Sequence, residues 1–386
     1  MAEEFFENNS FYKDAVRATT IIYQLHYEEK LDVGRAAVKG ADDVAFYSED
    51  FSFLLNEKCK LGSNFAHRFR FESSYVDLFR KEGFLNSIKE IELYLFNGGA
   101  AFLNVYIVYK NTESEYAYKL INPGYMNSDF SDFHKQLESF ISKIQINDVA
   151  GLLSPYGSED SIINETFTHD VALVRKRFKH TETMERLAYN THRIIDVSRD
   201  FSDVSERDIY YTYGGRDVEK ETYRWCCCIS SQSASYVYGS ENAEISEKLI
   251  KELVDEGLPI TMLVMYQRSM CTMLKEKLQG ALDIYSRYSK RKIVNLKMQA
   301  LMFNVNGTIA PSQVSRWHNI CETYRKLCDM TGIDESLEEI QNKIEYISEE
   351  QSRHTSRVWG VIAAIITIVG TVQTVSAIIT LIDMFN

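Results

Sequence analysis

The spacing of hydrophobic and polar positions changes character along the chain. In "IKEIELYLFNGGAAFLNVYIVYKN" the apolar residues are aromatic and β-branched and fall in two blocks around Asn97-Gly98-Gly99. That pattern predicts two strands joined by a tight turn. "EYAYKLIN", "KETYRWCCCISS" and "SASYVYG" predict further strands. "SDFSDFHKQLESFISKIQ" has helical spacing with Ser131 or Asp132 near its cap, and "ISEKLIKELVDEG" reads as a short helix ended by Gly257. "THDVALVRKRFKHTETMERLAYNTHR" reads as a helical stretch. Residues 1–258 are thus expected to form a cytosolic α+β domain with an antiparallel or mixed sheet.

From residue 259 the period becomes helical. The segment beginning "ITMLVMYQRSMCTMLKEKLQGALD" is helix-forming with Pro259 near its start, and "SQVSRWHNICETYRKLCDM" follows with Ser312 as its expected N-cap. The face Val314, Trp317, Cys321, Tyr324 and Cys328 predicts packing between the two, so 259–333 is expected to be a bundle of long helices. In 334–357, Leu337, Ile340, Ile344 and Ile347 recur at steps of three and four, as in a coiled-coil seam. This predicts a stalk helix. Residues 358–384 carry no charge until Asp383, long enough to cross a bilayer, and predict one C-terminal transmembrane helix.

Around that last helix, Gly360, Ala363, Thr367, Gly370, Thr371, Thr374 and Ala377 form a small, hydroxyl-bearing face opposite a Val/Ile face. Small residues allow close helix approach in lipid, so this side is expected to pack on copies of itself or to line water. Gln373, Ser376 and Thr380 add intramembrane polar groups. Arg353, Arg357 and Trp359 have the character of interface anchors, and the positive-inside rule then makes the N-terminal body cytoplasmic on an inner cell membrane.

Charge and composition narrow the function classes. The net charge is -12, from 43 Lys+Arg against 55 Asp+Glu, which argues against a nucleic-acid partner. The seven cysteines include the run Cys226-Cys227-Cys228, whose side chains alternate faces in an extended strand, and no CxxC pair occurs. Reduced thiols are expected, and no zinc set is present. "MAEEFFENNSFYKD" has no apolar core of a signal peptide. The eight histidines are scattered, and no phosphate-binding loop or Ser/His/Asp arrangement occurs, so no enzyme, cofactor or metal site is expected. Lys179, Arg186 and Arg193 offer an anion-binding face, with a solvated, ion-paired face as the plainer reading.

An N-terminal α/β body, very long helices, and a stalk entering the membrane resemble the layout of CorA-type divalent-cation channels. "IELYLFNGGAAFLNVYIVYKN" with "YKLIN", and Gln267-Arg268 within "ITMLVMYQRSMCTML", resemble a divergent bacterial CorA-like family. The chain has one membrane run and no Gly-Met-Asn after it; the "GYMN" at 124–127 lies in the soluble half. The resemblance implies a homo-oligomer, a pentamer by analogy, with a cation pore built from one helix per subunit. The alternatives are a membrane effector of bacterial defence gated by a small nucleotide ligand, or a tail-anchored scaffold without transport. A divalent cation is the partner implied by the first reading.

Overall fold

The structure, a computed structural model, describes residues 14–27, 31–46, 65–77, 88–113, 131–155, 166–192, 209–217, 219, 222–241, 246–283, 290–303, 314–315, 317–347, 349 and 367. The chain divides into two compact units. One comprises Met1–Thr272 with Met302–Asp334, the other Met273–Leu301 with Glu335–Asn386.

The first unit is built on a ten-stranded mixed sheet. Its strands are β1 (Val16–Tyr27), β2 (Ala41–Val44), β3 (Ala66–Phe71), β4 (Ile88–Phe96) and β5 (Ala100–Lys110). A small separate ribbon pairs β6 (Gln145–Ile146) with β7 (Val149–Ala150). The sheet resumes with β8 (Leu153–Pro155), β9 (Thr166–Val174), β10 (Tyr210–Gly214), β11 (Trp225–Ile229) and β12 (Ser233–Gly239). The spatial order is β10-β11-β12-β9-β1-β5-β4-β3-β2, with β8 also on β1. Every pairing is antiparallel except β9 with β12, where Asp170 lies opposite Ser235. The Asn97-Gly98-Gly99 turn joins β4 to β5 as expected, with Gly98 and Gly99 both at φ 101°, a region glycine enters freely.

Both faces of the sheet are covered, which is why β1 and β5 read as nearly unbroken buried runs. On one face, Ile21, Tyr23 and Leu25 meet Leu103, Val105 and Leu93, with Leu137, Phe140 and Ile141 of α2 (Ser131–Lys143) packed against them. The short α1 (Ser73–Asp77) adds Val76. Farther along the same face, Met184, Leu187 and Ala188 of α3 (Thr181–His192) cover Ala172, Val237, Cys226 and Cys228. Cys226 and Cys228 share that face and Cys227 takes the other, as the strand period requires.

The opposite face carries α4 (Glu247–Asp283) and α6 (His318–Thr331); α5 (Lys290–Met302) lies between them in sequence. Tyr266 of α4 stacks on Phe96 at 4.8 Å, and Thr261 meets His169 Nδ1 at 3.0 Å. Thr212 of β10 and Thr323 of α6 are hydrogen-bonded at 2.9 Å. In the second unit, Lys275 and Lys343 both pair with Glu339.

The expected short helix ended by Gly257 is instead the start of α4, which runs on through Gly257 and Pro259. Gly257 serves close packing: a Cβ there would stand 2.9 Å from His169 Cε1 and 3.2 Å from the Tyr236 ring. Gly257→Ala is therefore expected to lower stability by about 1–2 kcal/mol, the overpacking cost exceeding the better helix propensity of alanine. Urea unfolding of the two proteins measures it. The start of the stretch read as helical from sequence, 168–174, belongs to strand β9, and helix begins only at Thr181. The second long helix starts at His318, not Ser312, and ends at Gly332 in the left-handed conformation. The expected strand "EYAYKLIN" lies outside the described residues.

The expected fold class is corrected as a whole. The dominant element is the ten-stranded mixed sheet, not a membrane-entering rod, and no helix among the described residues is long and apolar enough to cross a membrane. The longest, α4, has its longest uncharged stretch between Glu256 and Arg268, far short of the roughly 20 apolar residues a bilayer demands. Its apolar side faces the sheet. The coiled-coil stalk is corrected too: in the helical run 333–347, Ile340 and Ile347 are already buried within the single chain, so that seam is not free to pair. The transmembrane, channel, ion-transport and magnesium readings lose their structural basis with it. Residues 358–384 lie outside the described residues except Thr367, which is helical and exposed.

Candidate functional site

None of the sequence-predicted site residues is brought into a described site. Gly360, Ala363, Gly370, Thr371, Gln373, Thr374, Ser376, Ala377 and Thr380 lie outside the described residues, as do Arg353, Arg357 and Trp359. Arg193 does too, and Arg186 is committed to Glu182 at 2.9 Å. Gln267 is buried and accepts from Tyr324 Oη at 2.9 Å, a tie between α4 and α6.

A groove of about 910 Å³ lies between the β10–β11 connection, the first turns of α4, and the start of α6. Local sequence explains each wall. Gly214 has no side chain because the Trp225 indole occupies that space; a Cβ would fall 2.3 Å from it. Gly215, at φ 65°, turns the chain so that Arg216 and Arg224 come out on the same connection. Asp217 accepts from Arg177 Nη1 at 3.2 Å and from the Glu219 N–H, which steadies the turn. Arg216 and Arg224 are exposed and make no ion pair among the described residues. This wall is positive.

The facing wall is negative. Glu252, Asp255 and Glu256 sit at helical steps of three and one on α4, with Pro259 on the next turn. Pro259 lacks an N–H, so the Asp255 carbonyl has no helical donor from that position. Burial raises the Asp255 carboxyl above its usual range, opposed by Lys251, whose Nζ lies 3.3 Å away. Lys251 is itself shared with Glu90 at 2.9 Å.

Aromatic surface lies between the charged walls. Trp225 is almost fully buried and braced edge-on by Tyr236 at 5.6 Å. Trp317, the last residue before α6, is 59% exposed, and its backbone N–H donates to Ser315 Oγ at 3.1 Å. An exposed indole on the otherwise apolar face predicted from sequence is the clearest departure from a packing role. The groove thus offers two guanidiniums without an ion pair among the described residues, three carboxylates and an exposed aromatic ring. The sequence stretch that carries half of it, "YGGRD" with "RWCCC", held a turn signal but no recognised motif.

A second polar centre is sealed inside the sheet. Asp170 of β9 accepts from Thr19 Oγ1 at 2.7 Å, Ser235 Oγ at 2.8 Å and Thr168 Oγ1 at 2.9 Å. Thr19 also meets Tyr109 Oη at 3.0 Å, and buried Arg17 donates to the Thr191 carbonyl at 3.0 Å. Burial pushes the Asp170 carboxyl up to about 6 against those hydrogen bonds and Arg17. Its neighbour His169, on the other face, is pushed down to about 3 by burial, and its Nε2 has no partner among the described residues. With Asp170, Thr19 and Ser235 all at zero exposure, this centre ties β1, β9 and β12 together and meets no outside ligand.

Burial likewise raises the thiols of Cys226, Cys227 and Cys228 well above their ordinary value, leaving them protonated and inert. Among the described residues no three His, Cys, Asp or Glu side chains gather to hold a metal ion. Protein-family models, curated proteins and solved structures yield no match to this chain.

Proposed function

We propose that the protein is a ligand-binding module whose groove takes a nucleotide. The observation that carries this reading is the grouping of exposed Arg216 and Arg224, which make no ion pair among the described residues, with exposed Trp317 across a carboxylate wall. Guanidiniums bind phosphate oxygens bidentately, and an indole face accepts a stacked base. Carboxylates are acceptor-only groups and suit the ring and exocyclic N–H groups of a purine such as guanine. A groove of about 910 Å³ is at the upper end for a small-molecule site, so it has room for a ligand larger than a mononucleotide. The helix that supplies the acidic wall continues to Asp283.

Calorimetric titration with purine and pyrimidine mono- and dinucleotides tests the proposal. Purines are expected to bind. Trp317→Ala is expected to weaken binding roughly 5- to 150-fold, the equivalent of about 1–3 kcal/mol of lost stacking. Arg216→Gln with Arg224→Gln is expected to remove the preference for phosphorylated over unphosphorylated nucleosides. Absence of binding at millimolar nucleotide, or binding indifferent to all three substitutions, refutes the assignment.

A further inference from the structure

A smaller pocket of about 90 Å³ lies at the other end of the α4 contact with the sheet and shares no residue with the groove. Its inner wall is apolar and buried: Ile22, Phe102 and Met265. Its polar groups are Gln24, Thr166, Ser231, Gln232 and Arg268. Among the described residues no carboxylate lines it, and the one charged group on its wall is the Arg268 guanidinium.

The two key side chains are held in place. Arg268 Nη1 donates to the Ser231 carbonyl at 3.2 Å, which fixes the guanidinium plane and leaves four of its five N–H groups for other acceptors. Arg268 makes no ion pair among the described residues. Gln24 is nearly buried, and its Nε2 donates to Ser269 Oγ at 3.1 Å, which sets the amide orientation from a fully buried anchor. The turn between β11 and β12 is in turn stiffened by Ser230 Oγ, which accepts from the Gln232 and Ser233 N–H groups at 3.1 Å each. A cationic, donor-rich, pre-set pocket with a dry inner wall has the chemistry of an anion receptor.

We infer that this pocket binds a small tetrahedral oxyanion, inorganic phosphate or sulfate or a terminal group of that shape, with Arg268 as its principal donor. The space is about a tenth of the groove's, a size that suits a compact tetrahedral oxyanion. The inference is independent of the groove and survives if the groove binds no nucleotide.

The full chain is tested by calorimetry and by thermal unfolding in phosphate, sulfate and acetate against chloride at matched ionic strength. Phosphate and sulfate are expected to bind and to raise the unfolding temperature in proportion to the logarithm of their concentration. Arg268→Gln is expected to weaken phosphate binding roughly tenfold or more, from loss of a charge-assisted donor. Gln232→Glu, an exposed rim change that leaves the core untouched, is expected to abolish it by repulsion. Arg35→Gln, an exposed change outside both cavities, is expected to leave it unchanged. Equal stabilisation of the wild type and both pocket variants by phosphate marks a general salt effect and overturns the proposal. So does an equal response to acetate, which overturns the tetrahedral assignment.

Discussion

Replacing Asp170 by asparagine is expected to uncover an acid-sensitive limb of stability that the wild-type protein masks. Burial raises the Asp170 carboxyl from 3.8 to about 6 and lowers the adjacent His169 ring from 6.5 to about 3. The favourable contribution of Asp170 is complete below pH 3.8 and is lost as pH climbs through 6. That of His169 is complete above pH 6.5 and is lost as pH falls toward 3. Between pH 3.8 and 6 the folded state keeps a proton on Asp170 that the unfolded chain has released. Over the same window it lacks a proton on His169 that the unfolded chain has taken up. The two slopes have opposite sign and cancel.

In the Asp170→Asn protein only the histidine remains, and stability relative to wild type should fall by about 3 kcal/mol as pH drops from 6 to 3.8. His169→Asn should give the mirror result, gaining about 3 kcal/mol relative to wild type over the same drop, whatever cavity cost it carries at all pH values. Urea unfolding of wild type, both variants and the double variant across this range reads the effect, and the carboxylates common to all four proteins drop out of the differences. Parallel profiles for wild type and Asp170→Asn would mean that the carboxyl titrates alike in folded and unfolded chains.

Glu92→Gln is the other substitution with a large expected cost. Glu92 accepts from Arg68 Nη2 at 2.6 Å and Nε at 3.0 Å, from Arg70 Nε at 3.1 Å and from Tyr94 Oη at 3.0 Å. Burial alone would raise its carboxyl, but Arg68, Lys251 and Arg70 hold it down to about 2. Both side chains of the Arg68–Glu92 pair are 4% exposed. A neutral amide at 92 leaves the Arg68 guanidinium buried without its counter-charge, at a cost of roughly 3–5 kcal/mol at neutral pH. Because the folded value is depressed, the stability from Glu92 is present above pH 4.5 and lost as pH falls through about 2, and the Gln variant should lack that acid loss. Replacing both partners by apolar residues, Arg68→Met with Glu92→Leu, should restore most of the stability. If the double variant is as unstable as Glu92→Gln, the cost lies in packing and not in the uncompensated charge.

The sequence made some of this architecture readable and hid the rest for physical reasons. The Asn97-Gly98-Gly99 hairpin and the strands at 225–229 and 233–239 showed because turn residues and β-branched or aromatic runs are local signals. Strand β9 was misread because "THDVALV" is buried on both faces and so lacks alternation, while its His169 and Asp170 look like surface residues. Their burial depends on Thr261 from α4 and on Thr19 and Ser235 from two other strands, which no local window contains. Gly257 gave the opposite error: a helix-stop residue by propensity, it is there because His169 and Tyr236 lie against it. The groove was invisible for the same reason. Arg216, Arg224, Glu252 and Trp317 come from three separate segments, and each alone is an ordinary surface residue.

Strand β1 also sets a schedule for biosynthesis. It leaves the ribosome well before either neighbour, for Val16 needs Lys110 on one side and Leu173 on the other. At about 5–20 residues per second, a nascent chain carries this apolar ribbon unpaired for roughly ten seconds or more before its second neighbour exists. During that interval "VRATTIIYQLHY" has the composition of a segment that chaperones hold and that stray chains can capture. The centre of the finished sheet is the part of the newborn polypeptide most in need of protection.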